Sequence, residues 1–177
     1  MSLRVGIFGG SFNPPHIGHG EICKWLLDGQ GLVDLVYVVS CFIHPFGKDL
    51  VSFDDRYKMC LFAFSEFGKK VMVSRIEQEM GGISHTIRTI KRLKEMHPDY
   101  RFSLVTGGDV GSQANQWKDF DEIKSLVPVI QVPRGVSSPI TDISSTEIRK
   151  RISLCKDYSA LVMPSVAVYI LTKGLYR

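Results

Sequence analysis

The chain lacks any apolar run long enough to cross a membrane. Its first strand-like stretch begins within about five residues of the start, so no secretory leader is expected and a cytoplasmic location is. Cysteine is sparse: Cys23, Cys41, Cys60 and Cys155 lie far apart, in or beside apolar segments, and none shows metal-ligand spacing. Buried free thiols in a reducing compartment are expected, with no protein-bound metal. Charge of one sign is also scarce. With 22 Lys and Arg against 18 Asp and Glu, the net charge is +4, which suits an anionic small-molecule substrate and is too weak to indicate nucleic acid. No internal repeat, low-complexity tract or linker interrupts the 177 residues, so residues 1–177 read as one domain.

What is present is an alternation of two kinds of segment. Apolar, β-branched runs recur at Val5–Phe8, Leu35–Val39, Val71–Val73, Phe102–Val105 and Val127–Val132. Short unbroken runs of this type suit strands covered on both faces. Helical patterns fall between and after them. Ile17–Asp28 is expected to bury Ile22, Trp25 and Leu26. Phe53–Phe64 opens on Ser52 and two aspartates, and Ile83–Met96 places Ile83, Ile87, Ile90 and Leu93 on one stripe. Ser145–Leu154, with Ile148, Ile152 and Cys155 toward the core, and Pro164–Lys173 follow. Phe62, Phe64 and Phe67 read as core. The pattern predicts an α/β fold: a doubly wound, Rossmann-like parallel sheet with helices on both faces. Ligands of such sheets bind beyond the C-terminal strand ends, where strand order reverses.

At the end of the first strand stands Gly9-Gly10-Ser11-Phe12-Asn13-Pro14-Pro15-His16-Ile17-Gly18-His19. Gly9 and Gly10 are expected to turn the backbone sharply, leaving the amides of Ser11 and Phe12 to face phosphate oxygens. His16 and His19 share a face at the start of the next helix, where the dipole favours anions. Gly18 between them is expected to leave room for a base or ribose. No Gly-Lys-Ser/Thr follows, which excludes a P-loop, and the glycine spacing is wrong for the dinucleotide fingerprint. A zinc pair is the competing reading of the histidines, but the spacing is three rather than four and no third ligand is evident.

A second anion cradle lies at Ile143-Ser144-Ser145-Thr146-Glu147-Ile148-Arg149. Ser144 and Glu147 fit a capping box. Ser145 and Thr146 occupy the first turn, and Arg149 falls on their face.

Together these motifs resemble the nucleotidyltransferase superfamily with an HxGH histidine pair and an ISSTxxR motif. Across nearly the whole chain the sequence is similar to the bacterial nicotinate-nucleotide adenylyltransferase family. Gly107-Gly108-Asp109 stands at its Gly-x-Asp segment, Trp117 at its loop tryptophan, Pro133-Arg134-Gly135 at its Arg-Pro-Gly region, and Leu161 through Tyr176 at its closing helix. The resemblance implies a nucleotidyltransferase-type sheet and transfer of AMP from ATP to a pyridine mononucleotide, with Mg²⁺ carried by ATP. It implies His16, His19, Lys48 and Arg149 as catalytic groups. Gly9, Gly10, Ser11, Phe12, Gly18, Gly107, Asp109, Ser145 and Thr146 would bind ATP. His44, Ser84, His85, Thr86, Trp117 and Arg134 would meet the acceptor, with nicotinate mononucleotide favoured because helix-start amides suit a carboxylate. The chain departs from the family at His44-Pro45-Phe46-Gly47-Lys48, where the family has Pro-Pro-His-Lys, and at His85, where it usually has tyrosine. Nicotinamide mononucleotide, phosphopantetheine and a silent nucleotide-binding regulator stay open as alternatives, as does a homo-oligomer. A fragment of an aminoacyl-tRNA synthetase is disfavoured, because no KMSKS-like segment follows His16–His19.

Overall fold

Five parallel strands form one sheet: β1 (Arg4–Gly10), β2 (Leu35–Ser40), β3 (Val71–Ser74), β4 (Arg101–Gly107) and β5 (Val129–Val132). The computed structural model describes residues 2–107, 118–133, 135 and 138–177. The strand order is β3-β2-β1-β4-β5, so the chain reverses direction across the sheet at the β1–β4 pair. The next described helices after these two strands join opposite cores, and the C-terminal end of such a switch point is where ligands of parallel sheets bind.

Helices cover both faces. Residues of α1 (Ile17–Lys24), α2 (Phe53–Ala63), α6 (Ser145–Ser153) and α7 (Pro164–Lys173) join one core with Phe8, Val36, Val38, Val105 and Val132. Those of α3 (Ile76–Met80), α4 (Thr86–Met96) and α5 (Phe120–Leu126) join the other with Val5, Ile7, Tyr37, Val39 and Leu104. The two cores alternate residue by residue along β2, as the pleat requires. All six residues of β2 are buried, which explains why its sequence is unbroken apolar rather than alternating. The expected doubly wound α/β architecture is the one observed.

Helix ends follow local chemistry. The Ser52 hydroxyl accepts from the Asp55 amide at 3.0 Å and caps α2, with Asp54 and Asp55 in its first turn. α7 begins with Pro164 and stops at Gly174, whose φ of 63° is the left-handed conformation that glycine adopts without strain.

Several expectations needed correction. α1 gives way to a wider π turn at Trp25–Gly29; Leu26 and Cys23 are fully buried there, while Ile22 and Trp25 are half-buried. Ile83 precedes α4 and is exposed, because Gly81 and Gly82 at φ 62° and 73° lead into an extended bridge with Ile43. Cys155 is exposed, because α6 ends before it and its own φ of 52° turns the chain away; the other three thiols are buried. Phe62 is exposed against Tyr169, whereas Phe64 is core. β5 starts after Pro128, whose carbonyl accepts the Leu104 amide at 2.8 Å while Val127 still caps α5. The short helices α3 and α5 were not anticipated. No helix among the described residues is long and apolar enough to cross a membrane.

Candidate active site

The turn after β1 is built differently from its sequence pattern. Gly9 and Gly10 remain in the strand, paired with Val39 and Ser40 of β2. The reversal falls on Phe12, a non-glycine residue at φ 46°. This strained conformation is held by burial: the Phe12 ring is 2% exposed and packs edge-on against Phe8, Phe64 and the His19 imidazole. Gly10 is required for it, since a Cβ there would stand 3.0 Å from the Phe12 ring, whereas the space over Gly9 is open.

Beyond the turn, the His16 amide donates to Nδ1 of His19 at 3.0 Å, and the two rings lie 3.6 Å apart, tilted by 32°. With Nδ1 accepting, the His19 proton belongs on Nε2. Gly18 is packed rather than open. A Cβ on it would meet the Thr141 carbonyl at 3.1 Å and the His16 ring at 3.2 Å, so the direction a side chain would take is filled by the chain itself.

The second motif closes directly onto the first. Ser144 caps α6 by accepting from the Glu147 amide at 3.1 Å. The Ser145 hydroxyl then donates to the Pro14 carbonyl at 2.8 Å, and Arg149 Nη1 donates to the Asn13 carbonyl at 2.8 Å. Arg149 Nη2 also donates to the Thr146 hydroxyl at 3.3 Å. Residues more than 120 apart in sequence therefore share one junction, at the N-termini of α1 and α6, where two helix dipoles present their positive ends.

On the far side of the turn lies a cavity of about 860 Å³. Gly9, Gly10 and Ser11 line it together with His44, Lys48, Ser84, His85 and Thr86. His16 instead borders a smaller hollow of about 390 Å³ beside Gly20, Lys24 and Phe67. The structure thus forms two clusters joined through residues 11–14: the histidine, serine and arginine junction, and the cavity. Gly107 ends β4 beside Val132. Asp109, Trp117 and Arg134 lie outside the described residues.

The start of α4 is partly committed. The Ser84 hydroxyl accepts from the Phe42 amide at 2.8 Å, and the Ser84 and His85 amides donate to Ile43 and Ile83. In the first turn the Arg88 and Thr89 amides donate to the His85 carbonyl at 2.9 and 3.4 Å, and the residue of that turn at the cavity wall with an amide to offer is Thr86.

Sequence reasoning missed several polar groups here. Glu77 lines the cavity, accepting from the Thr89 hydroxyl at 2.8 Å and the Phe42 amide at 3.2 Å. Lys118 lines it as well. Arg56 is 1% exposed and donates to the carbonyls of Val51 and Ser11 at 3.1 and 3.0 Å. An arginine behind two aspartates at a helix start reads as surface, and no local pattern marks it as buried.

His44 gives the site a pH dependence. Its Nδ1 accepts from the Phe46 amide at 3.1 Å. Burial first, then the positive charges of Lys48 and Arg56, hold its pKa below the ordinary 6.5. The folded chain binds this proton less readily than the unfolded chain, so the neutral ring's contribution is present above about pH 6.5 and is lost as pH falls below it. On acidification from about pH 7 to about pH 5 the wild-type melting temperature is expected to drop further than that of His44→Gln. Parallel melting curves would remove His44 from the effect.

A family profile described as cytidylyltransferase-like matches residues 7–151. A protein of Anaeromyxobacter sp. (strain K), named probable nicotinate-nucleotide adenylyltransferase, is 38% identical over 183 residues, covering 98% of this chain and 97% of its own. A protein of the same name from Myxococcus xanthus is 35% identical over 99% of this chain and 95% of its own. In fold, the chain is similar to the Plasmodium falciparum nicotinic acid mononucleotide adenylyltransferase complexed with NaAD. The TM-score is 0.79 at 22% identity, covering 98% of this chain and 97% of that one. With histidine and serine–arginine motifs meeting at the switch point of a parallel sheet, and agreement along nearly the whole of each relative, the chain belongs to the nicotinate-nucleotide adenylyltransferase family, the adenylyltransferases of NAD-related nucleotide biosynthesis.

Proposed function

We propose that the chain transfers AMP from ATP to nicotinate mononucleotide, giving deamido-NAD and pyrophosphate. One observation carries this reading: Ser145 and Arg149 bond the Pro14 and Asn13 carbonyls beside His16 and His19, so two anion cradles far apart in sequence form one junction next to a cavity fit for a second ligand.

The chemistry needs little from the protein beyond placement. A phosphate monoester has its second pKa near about 6, so the acceptor's attacking oxygen is already ionised at neutral pH and no general base is required. That oxygen bonds to the α-phosphorus of ATP while the bond to the bridging oxygen of pyrophosphate breaks. His16, His19, Thr146 and Arg149 are the groups to bind the triphosphate and stabilise charge as it passes to pyrophosphate. Mg²⁺ would be held by phosphate oxygens and water; among the described residues, no group of three or more His, Cys, Asp or Glu forms a metal cage.

Lys48, at the cavity wall with His44, is suited to the acceptor's phosphate. The first-turn amides of α4 suit its carboxylate. The nicotinamide form is the second reading, and Glu77 favours it, since a carboxylate in the same wall repels an acid. Lys48 and Lys118 outweigh that single anion and keep the acid form first.

The test is pyrophosphate release from ATP and Mg²⁺ with nicotinate mononucleotide, nicotinamide mononucleotide or phosphopantetheine. The acid is expected to give the largest kcat/KM. Faster turnover of the amide would transfer the assignment to it, and no turnover of either pyridine nucleotide would end this reading.

A further inference from the structure

Asn13 connects more of the molecule than its place in a loop suggests. It is 2% exposed, and three chain segments reach it. Its carbonyl accepts from Arg149 of α6 at 2.8 Å. Its side-chain Oδ1 accepts from the Val51 amide at 3.3 Å and from the Tyr176 hydroxyl at 2.9 Å. Val51 ends the segment carrying His44 and Lys48, so Asn13 ties the acceptor loop to the turn after β1. Arg56 makes a second tie between the same two segments by donating to the Val51 and Ser11 carbonyls. The Val51 amide bond to Asn13 is the longer of the two that Oδ1 accepts, and the Tyr176 phenol is the stronger restraint on the carboxamide.

We propose that Tyr176, in the segment after α7, is a positioning residue for adenylyl transfer: its phenol fixes the Asn13 carboxamide, and through Val51 this sets the acceptor loop against the phosphate turn. The assignment rests on the adenylyl-transfer reading above. Burial holds the phenol well above its ordinary pKa, so it stays a hydrogen-bond donor throughout the range in which the enzyme would work. Tyr176 has no need to touch either substrate; it acts on the relative placement of two segments that do. Small misplacements of reacting groups are costly in rate while leaving each substrate's own contacts in place.

Tyr176→Phe removes one oxygen and keeps the ring packing. In this variant kcat is expected to fall about tenfold, with KM for ATP within about twofold of wild type. Hydrogen exchange at the Val51 amide is expected to rise about tenfold, with the amides of β1 and β2 unchanged. An unchanged kcat in an active enzyme, unchanged exchange at Val51, or a uniform rise across the sheet would each overturn the proposal. If the wild-type chain turns over no pyridine nucleotide, the adenylyl-transfer reading fails by itself. The exchange at Val51 then still decides whether Tyr176 holds the loop, so the two failures are told apart.

Discussion

His19→Ala is expected to lower pyrophosphate release by about 100-fold to 1,000-fold with the fold intact. The imidazole sits in the first turn of α1, with its ring 4.9 Å from Phe12 and 3.6 Å from His16. Its Nδ1 is engaged by the His16 amide, and in the proposed reaction its other ring nitrogen donates to a phosphate oxygen. Alanine removes that donor, and it also removes an acceptor for a helix-start amide, a structural loss of about 1 kcal/mol. The two effects separate by measurement. A melting curve reports the cap, and turnover per folded molecule reports the donor. His19→Asn offers a side-chain acceptor at the same position, so it should recover part of the melting temperature while leaving turnover low. If His19→Ala is stable and retains more than about a tenth of wild-type turnover, the imidazole has no part in stabilising the transferred phosphate.

Arg149→Ala is the second large effect, expected to cost about 100-fold or more in kcat/KM for ATP. The guanidinium is half-buried and bridges the Asn13 carbonyl and the Thr146 hydroxyl. A planar, multi-donor cation can hold those partners and still present N–H groups to a phosphate; an ammonium cannot do so in the same geometry. Arg149→Lys should therefore stay impaired by at least about tenfold although its charge is unchanged. Full activity in the lysine variant would reduce Arg149 to a general positive charge. The junction itself should survive either change, because the Ser145 bond to Pro14 does not involve the arginine; a single cooperative melting transition, lowered by no more than the loss of the Asn13 bond explains, would show that.

The parts of this protein most legible in sequence are those whose physics is local. The strands were marked by short β-branched runs because a sheet covered on both faces asks for nothing else. α2, α6 and α7 were marked by Ser52, Ser144 and Pro164 because a helix start has unpaired amides within reach of its own neighbours. The helix starts at His16 and Ser144 were visible for the same reason. What could not be read was which surface each feature would meet. Gly9-Gly10 looked like the turn, yet the reversal fell two residues later, at Phe12, once its ring had Phe8 and Phe64 to pack against. Gly18 gave no sign that the Thr141 carbonyl would pack where its side chain would stand. Ile83 completed a helical stripe on paper, but two glycines and the bridge to Ile43 drew it out of the helix.

The sequence by itself determined an α/β protein and the two polar helix starts at His16 and Ser144, because periodicity and capping are settled within a few residues. Only the tertiary structure decided that those two starts meet at Asn13 and Pro14, that Arg56 is buried between two segments of backbone rather than solvated, and that Tyr176 reaches the same point. Contacts across 45 to 163 residues of chain depend on strand order. That order is fixed by how the two apolar faces of the sheet are jointly covered, a condition no single stretch of residues carries.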